Sequence, residues 1–181
     1  MRAMNWLLKA LCASMLIAGV ASAADFTEED TRTWEEIEAD YLFELIGLNV
    51  DNLDFASTSS TAAGELVCLL QEGYRIDSGN LLKLIELLDS AIARKNAAHV
   101  LMQAIDYRCE LTPQHMVMLI KKLDHASATG QAKDIILHAL DAGVPFGPVE
   151  RYVLAQMSTM ATARNNVEKI RKALHQRAAA R

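Results

Sequence analysis

Histidine and carboxylate side chains at helical spacing are the strongest candidates for metal chemistry in this sequence. Asp134, His138 and Asp141 follow one another at i, i+4 and i+7, which places all three on one face of a helix. Imidazole and carboxylate groups are ordinary zinc ligands. Three ligands on a single helix have no second element to complete the coordination shell. An intrahelical Asp134/His138 pair on a solvated face is therefore the favoured interpretation.

Motifs for other chemistry are not found in the sequence. The chain has five histidines and three cysteines, but no His-Glu-x-x-His, no Gly-x-Ser-x-Gly, no phosphate-binding glycine loop and no EF-hand. A net charge of -5 gives no overall attraction to nucleic acid. We therefore predict that the protein is not an enzyme and binds neither a cofactor nor nucleic acid. An enzyme or metal carrier using the Asp134/His138/Asp141 face is the third hypothesis.

The beginning of the sequence has the organisation of a secretory signal peptide. Arg2 and Lys9 precede an apolar run over residues 10–20, and small residues at Ala21 and Ala23 fit a signal peptidase. The run is too short for a comfortable bilayer crossing, so a retained membrane anchor is the weaker alternative. We predict a signal peptide over residues 1–23, a mature chain from Ala24 and a periplasmic location, with no transmembrane anchor after cleavage.

Two cysteines would remain after cleavage, Cys68 and Cys109. In an oxidising compartment an isolated pair usually forms a disulfide, here closing a loop of about 40 residues and contributing about 3–4 kcal/mol. We predict this bond. Cys109 lies six residues beyond Gln103, the strict repeat equivalent of Cys68, so the bond requires one helix to move by nearly two helical turns relative to the other. The alternative is that both are small buried hydrophobes.

The composition favours an all-α fold. Hydrophobic residues make up 51% of the chain, aromatics 6%, and there are 8 glycines and 3 prolines, too few turn and strand formers for a β protein. Over residues 24–49 we predict an acidic amphipathic helix that starts at Thr27 and ends at Gly47. Its apolar stripe contains Trp34, Ile37, Tyr41, Leu45 and Leu48.

The rest of the chain, residues 50–181, repeats with a period of 35. At that offset residues 84–118 match 119–153 at ten positions, among them Asp89/Asp124 and Pro113/Pro148. Glycine, proline and capping residues predict helices over 62–71, 80–92, 96–107, 113–126, 131–142, from 148, and 164–178. We predict about three and a half stacked antiparallel helical hairpins, an α-solenoid-like arrangement.

A two-helix unit of this length resembles the tetratricopeptide and related helical-hairpin repeats. The resemblance rests on the period alone, because the Trp, Leu-Gly and Tyr of the tetratricopeptide first helix are absent. It implies a core between stacked hairpins and a groove for partners, and it implies no chemistry.

Two stripes distinguish the first helices of these predicted hairpins. Leucines at 84, 88, 119, 123 and 154 form a stripe that we expect in the core. A second stripe changes from charged to apolar along the chain, and we predict that it binds a partner, with apolar anchors and with Lys121 and Lys122 setting orientation. Its members are Lys83, Glu86, Leu87, Met118, Lys121, Lys122, Gln156, Met157 and Met160. The alternative is that the apolar residues of the last hairpin are covered by the C-terminal helix.

Export, helical repeats and the lack of catalytic motifs together favour a protein–protein interaction module. The leading hypothesis is an adaptor or structural subunit of a cell-envelope assembly, such as a secretion, conjugation or pilus machine, with homo-oligomers left open. The alternative is a periplasmic immunity or inhibitor protein against a toxin. Eight acidic residues between Asp25 and Asp40, and six basic ones between Arg164 and Arg181, offer further contacts or are solvated faces.

Overall fold

The computed structural model describes Thr33 to Ala179, and this part of the chain is all-helical, as predicted. The predicted signal peptide, its predicted cleavage before Ala24 and the predicted helix start at Thr27 lie outside the described residues. Within this described range the eight α-helices are α1 Trp34–Asn52, α2 Ser59–Gln71, α3 Ser78–Glu86, α4 Arg94–Asp106, α5 Pro113–Lys121, α6 Thr129–Asp141, α7 Pro148–Met157 and α8 Arg164–Ala179.

The chain divides into two units between Ala39 and Asp40, within α1. The described part of the shorter unit is the beginning of that helix. There the backbone N–H of Thr33 donates to Glu36 Oε2 (2.7 Å) and the Glu36 N–H donates to Thr33 Oγ1 (3.3 Å). This reciprocal pair satisfies two N–H groups that a helix start leaves without partners. All further description concerns the longer unit.

Helix boundaries in the longer unit recur at intervals of 35 residues. We call α3, α5 and α7 the first helices and α2, α4, α6 and α8 the second helices; within each set the starts are 35 residues apart. Short 3₁₀ turns, Leu87–Asp89 and Lys122–Asp124, follow α3 and α5. The predicted helices are found with ends shifted by a few residues, because the 3₁₀ turns end α3 and α5 earlier than the periodicity indicated.

Three second helices end in the same way. Gly73, Arg108 and Gly143 have positive φ of 101°, 60° and 93°, and in each case the next residue turns its N–H back onto the helix. The N–H of Cys109, for example, donates to the carbonyl of Ala104 (2.8 Å). This is the Schellman arrangement, which satisfies carbonyls that a helix end leaves open.

The predicted end of α1 at Gly47 is wrong, since the helix continues to Asn52. A glycine inside a helix costs about 1 kcal/mol, and burial of Ile46 and Val50 on either side of it offsets that cost. The predicted stripe is also not the buried face, because Leu48 is 59% exposed. The periodicity within α1 alone does not reveal which of its faces meets the core.

The core lies between the helices of each set and between the two sets. Along the chain α2 packs against α4, α4 against α6 and α6 against α8; α3 packs against α5 and α5 against α7. Each first helix also packs against the second helix that follows it. The predicted leucine stripe is confirmed as core, since its members are at most 2% exposed: Leu84, Leu88, Leu119, Leu123 and Leu154.

Three aspartates at the ends of the first helices and of α1 link consecutive elements. Asp54 accepts a hydrogen bond from Ser90 Oγ (2.5 Å) and Asp124 accepts one from Thr162 Oγ1 (2.5 Å). Between them, Asp89 accepts from Lys122. We call these three residues, spaced by 35, the aspartate ladder. Each rung joins side chains more than 30 residues apart in sequence.

Between Thr33 and Ala179, no helix combines the length and the hydropathy needed to cross a bilayer.

Candidate functional site

The residues predicted to bind a partner separate into an exposed and a half-buried group. Exposed members are Lys83, Glu86, Lys121, Gln156 and Met160, and half-buried members are Leu87, Met118, Lys122 and Met157. The half-buried apolar residues Leu87, Met118 and Met157 lean against the core. Among the predicted anchors, Met160 therefore offers the most open apolar surface.

Ion pairs occupy part of this surface. Lys83 Nζ lies 3.0 Å from Asp51 Oδ1, and Asp89 pairs with Lys122 and, at 3.4 Å, with His125 Nδ1. Lys121 is exposed and has no ion-pair partner among the described residues. Of the two lysines expected to set orientation, Lys122 thus holds neighbouring elements together, whereas Lys121 is available to a second molecule.

Four further large apolar side chains are exposed. Leu48 and Phe55 lie on α1 and in the turn after it, and Val149 and Tyr152 lie on α7. Tyr152 is 66% exposed and Phe55 61%. The sequence analysis missed all four. Extending the offset of 35 backwards would have found two, because Leu48 aligns with Lys83 and Met118, and Phe55 with His125 and Met160.

The buried His115 contacts Ser78, an arrangement in which a serine could act as a nucleophile and the histidine as its general base. His115 is fully buried and its Nε2 lies 3.2 Å from Ser78 Oγ and 3.0 Å from the Ser78 carbonyl oxygen. The backbone N–H of Thr112 donates to the other ring nitrogen, Nδ1, at 2.9 Å. In a neutral ring Nδ1 is then the acceptor and Nε2 carries the hydrogen.

This tautomer excludes His115 as a base for Ser78. A general base must accept the hydroxyl proton on a free lone pair, but Nε2 already donates its hydrogen to the Ser78 carbonyl. The histidine instead acts as a helix cap for α5 and a tie to the start of α3. It occupies the capping-box position opposite Thr112.

Two of the residues considered as metal ligands, Asp134 and His138, pair with different side chains and not with each other. His138 Nε2 lies 2.7 Å from Asp106 Oδ1, on the preceding second helix, and Asp134 lies 2.6 Å from the Lys133 ammonium. The expected intrahelical Asp134/His138 pair is therefore replaced by a pair between α4 and α6. Between Thr33 and Ala179 no group of three His, Cys, Asp or Glu side chains is arranged to hold a metal ion.

The two cysteines are free in the structure, so the predicted disulfide is not seen there. Cys68 is exposed on the side of α2 opposite to the buried Leu66 and Leu70, while Cys109 is buried. Burial raises the pKa of the Cys109 thiol, and a hydrogen bond from the backbone at Ile76 and the charge of Arg75 oppose that change. The two sulfur atoms thus occupy different environments, one in solvent and one in the core.

Comparison with known proteins finds no match among protein-family models, curated proteins or solved structures.

Proposed function

We propose that this chain is an exported protein–protein interaction module that serves as an adaptor or structural subunit of a cell-envelope assembly. In this proposal its hairpins stack in register, each first helix on the previous first helix and each second helix on the previous second helix. The recurrence of helix starts every 35 residues and the pairs of packed helices support this arrangement. Stacked hairpins present side chains from equivalent positions in a row, which is how repeat proteins form extended binding surfaces.

The observation that carries the proposal is the change of chemistry along one exposed row. We call this row the binding row: Leu48, Phe55, Lys83, Glu86, Lys121, Val149, Tyr152 and Met160, all exposed. It is apolar at both ends and charged in the middle. A face that is only solvated has no need of large exposed apolar side chains, and such side chains are typical of protein contacts.

The chemistry of the binding row indicates the kind of partner. Aromatic and aliphatic side chains such as Phe55 and Tyr152 supply most of the energy of protein interfaces when they enter a pocket. The central charges, Glu86 and Lys121, contribute orientation and association rate more than affinity. We infer a folded protein partner with two apolar depressions separated by a polar strip, located in the same compartment.

Co-purification of the partner with the wild-type chain and with variants at one charged and one aromatic position of the binding row tests this proposal. The tagged chain is purified from the envelope as wild type, Lys121→Glu, Tyr152→Asp and Lys95→Glu, and the co-purified protein is identified and quantified. Lys95 is an exposed lysine on α4, outside the binding row, and is the matched control. We expect both row variants to lose the partner while keeping wild-type helicity and melting temperature, and Lys95→Glu to retain it.

Two results would contradict the proposal. Retention of the partner by both row variants would remove the binding row as the contact, and its loss in Lys95→Glu would show a general charge effect. The identity of the captured protein separates the two functional hypotheses, since a structural component of an envelope machine supports the adaptor role and a toxin supports the immunity role.

Export is tested separately. The proposal requires a mature chain that begins at Ala24 in the periplasmic fraction. Intact-mass measurement of the fractionated protein gives the N-terminus directly, and a chain that retains Met1 in the membrane fraction would contradict export with cleavage.

A further inference from the structure

In the last hairpin, α7–α8, the positions that would contact a following hairpin are polar or small. The equivalent positions of the two preceding hairpins, α3–α4 and α5–α6, are apolar and buried. On α3, α5 and the 3₁₀ turns that follow them, two triplets are at most 1% exposed: Leu81, Ile85, Leu88 and Met116, Ile120, Leu123. The equivalent positions of α7, 35 residues further on, are Arg151, Ala155 and Ser158. Arg151 and Ala155 are exposed and Ser158 is half-buried.

The second helices show the same change. Leu101 and Ile105 on α4, and Ile136 and Leu140 on α6, are buried. Their equivalents on α8 are Arg171, half-buried, and His175, exposed. Arg171 Nη1 lies 3.3 Å from Glu168 Oε1 on the same helix, so its charge is balanced locally.

A neighbouring face of α8, about a quarter turn away round the helix, keeps its apolar residues. Val167 and Ile170 are fully buried, as are Val100 and Ile135 at the positions equivalent to Ile170 on α4 and α6. Helix α8 packs against α6 and α7, and this face supplies its buried apolar side chains. The substitutions are confined to one face and do not reflect a general loss of apolar residues at this end of the fold.

We propose that the α7–α8 hairpin closes the stack, and that its end face does not accept another hairpin, including one from a second copy of this chain. This inference rests on the stacked arrangement in the proposed function. We define the end face as Arg151, Ala155, Ser158, Glu168, Arg171 and His175. Covering it with an apolar hairpin would take the Arg151 charge and the Arg171–Glu168 pair out of water without supplying new polar partners, which is unfavourable. Contacts with other proteins are thereby directed to the binding row.

The test restores the residues of the inner hairpins at the end face. The variant Arg151→Met, Ala155→Ile, Arg171→Ile, His175→Leu carries the side chains found at Met116, Ile120, Ile136 and Leu140. Its matched control, Lys95→Met with His99→Leu, adds apolar side chains at two exposed positions of α4. Mass is measured by light scattering after gel filtration, over a concentration series from micromolar to near-millimolar.

We expect wild type and control to have the mass of one chain throughout, and the restored variant to reach at least twice that mass with unchanged helicity. A restored variant that keeps the mass of one chain, as the control does, would show that this face is not a stacking surface and would overturn the proposal.

A second measurement, the mass of wild type and of Arg171→Glu in solution, tests the proposal even if the restored variant does not fold. If wild type self-associates and Arg171→Glu abolishes that association, the end face is an interface between copies and the proposal is wrong. Partner capture reports on the binding row and not on the end face, so failure of the proposed function is recognised independently.

Discussion

At the scale of single residues, the imidazole of His115 has a structural role, because it connects the starts of two helices. It accepts the Thr112 N–H at the start of α5 and donates to the Ser78 carbonyl at the start of α3. The ring is fully buried, whereas its two partners lie at the edge of the core, so removing the ring chiefly leaves a cavity. Sequence patterns indicate a helix start at Pro113, but a contact between residues 37 apart is not visible in any local spacing.

His115→Ala should lower the free energy of unfolding by about 2–4 kcal/mol, because it leaves a cavity in the core and removes the acceptor of the half-buried Thr112 N–H. Urea unfolding followed by circular dichroism gives the change. His99→Ala, at an exposed position of α4, is the control and should stay within about 0.5 kcal/mol of wild type. A loss of less than about 1 kcal/mol for His115→Ala would contradict the role assigned to the ring.

The environments of the two cysteines predict different reactivity. The thiolate is the reactive form, and burial both hides Cys109 and raises its pKa. In native protein at mildly alkaline pH we expect iodoacetamide to modify Cys68 first, with Cys109 labelled slowly and only at higher pH than in denatured protein. Peptide mapping by mass spectrometry locates the label. Failure of both sites to react in denatured, unreduced protein would instead reveal the disulfide predicted from the sequence.

At the scale of elements, helix ends are the features that the sequence predicted best. Gly73 and Gly143 mark real helix ends, and Thr112 with Pro113 marks a real start, because these residues act through local backbone geometry. Gly47 failed as a signal since burial on both sides of it keeps the helix intact. The equivalent helix end before Arg108 was also predicted, at residue 107, and the helix ends at Asp106 although no glycine marks the position.

Arg108 is therefore a position where stability can be gained. Its φ of 60° costs a residue with a Cβ about 1–2 kcal/mol, and glycine avoids this at a smaller cost in unfolded-state entropy. We expect Arg108→Gly to raise the free energy of unfolding by about 0.5–1 kcal/mol. Gly143→Ala, the reverse exchange at the equivalent position, should lower it by about 1 kcal/mol. Equal and small effects of the two substitutions would contradict a shared helix-end geometry.

At the scale of the whole longer unit, stability should decrease from its central helices towards its ends if the hairpins stack as we propose. Helices α4 and α6 each pack between two other second helices, whereas α2 and α8 each have one such neighbour. Because a hairpin in a stack is stabilised by its immediate neighbours, backbone amides of α4 and α6 should exchange hydrogen more slowly than those of α2 and α8. Hydrogen-exchange mass spectrometry of the native protein measures this. Uniform protection across all four helices would indicate one cooperative unit instead.

How far the sequence predicted the molecule depends on the range of the contacts involved. Leu84, Leu119 and Leu154 were recognised as core because a regular period reports burial. The exposed Phe55 and Tyr152 were missed because the exposure of a single apolar side chain depends on which residues pack around it in the folded chain, and the sequence alone does not give those neighbours. The pairing of His138 with Asp106 was missed for the same reason, since the nearer carboxylate in sequence, Asp134, lies beside Lys133 in space.

The aspartate ladder has a consequence for the order in which the chain can acquire its structure. Each rung needs only the next few dozen residues: Asp54 meets Ser90, Asp89 meets Lys122 and Asp124 meets Thr162. Contacts of such moderate sequence separation form without first bringing distant parts of a chain together. A chain delivered N-terminus first, from a ribosome or through a membrane channel, can thus fold progressively, with each new hairpin docking on a completed one.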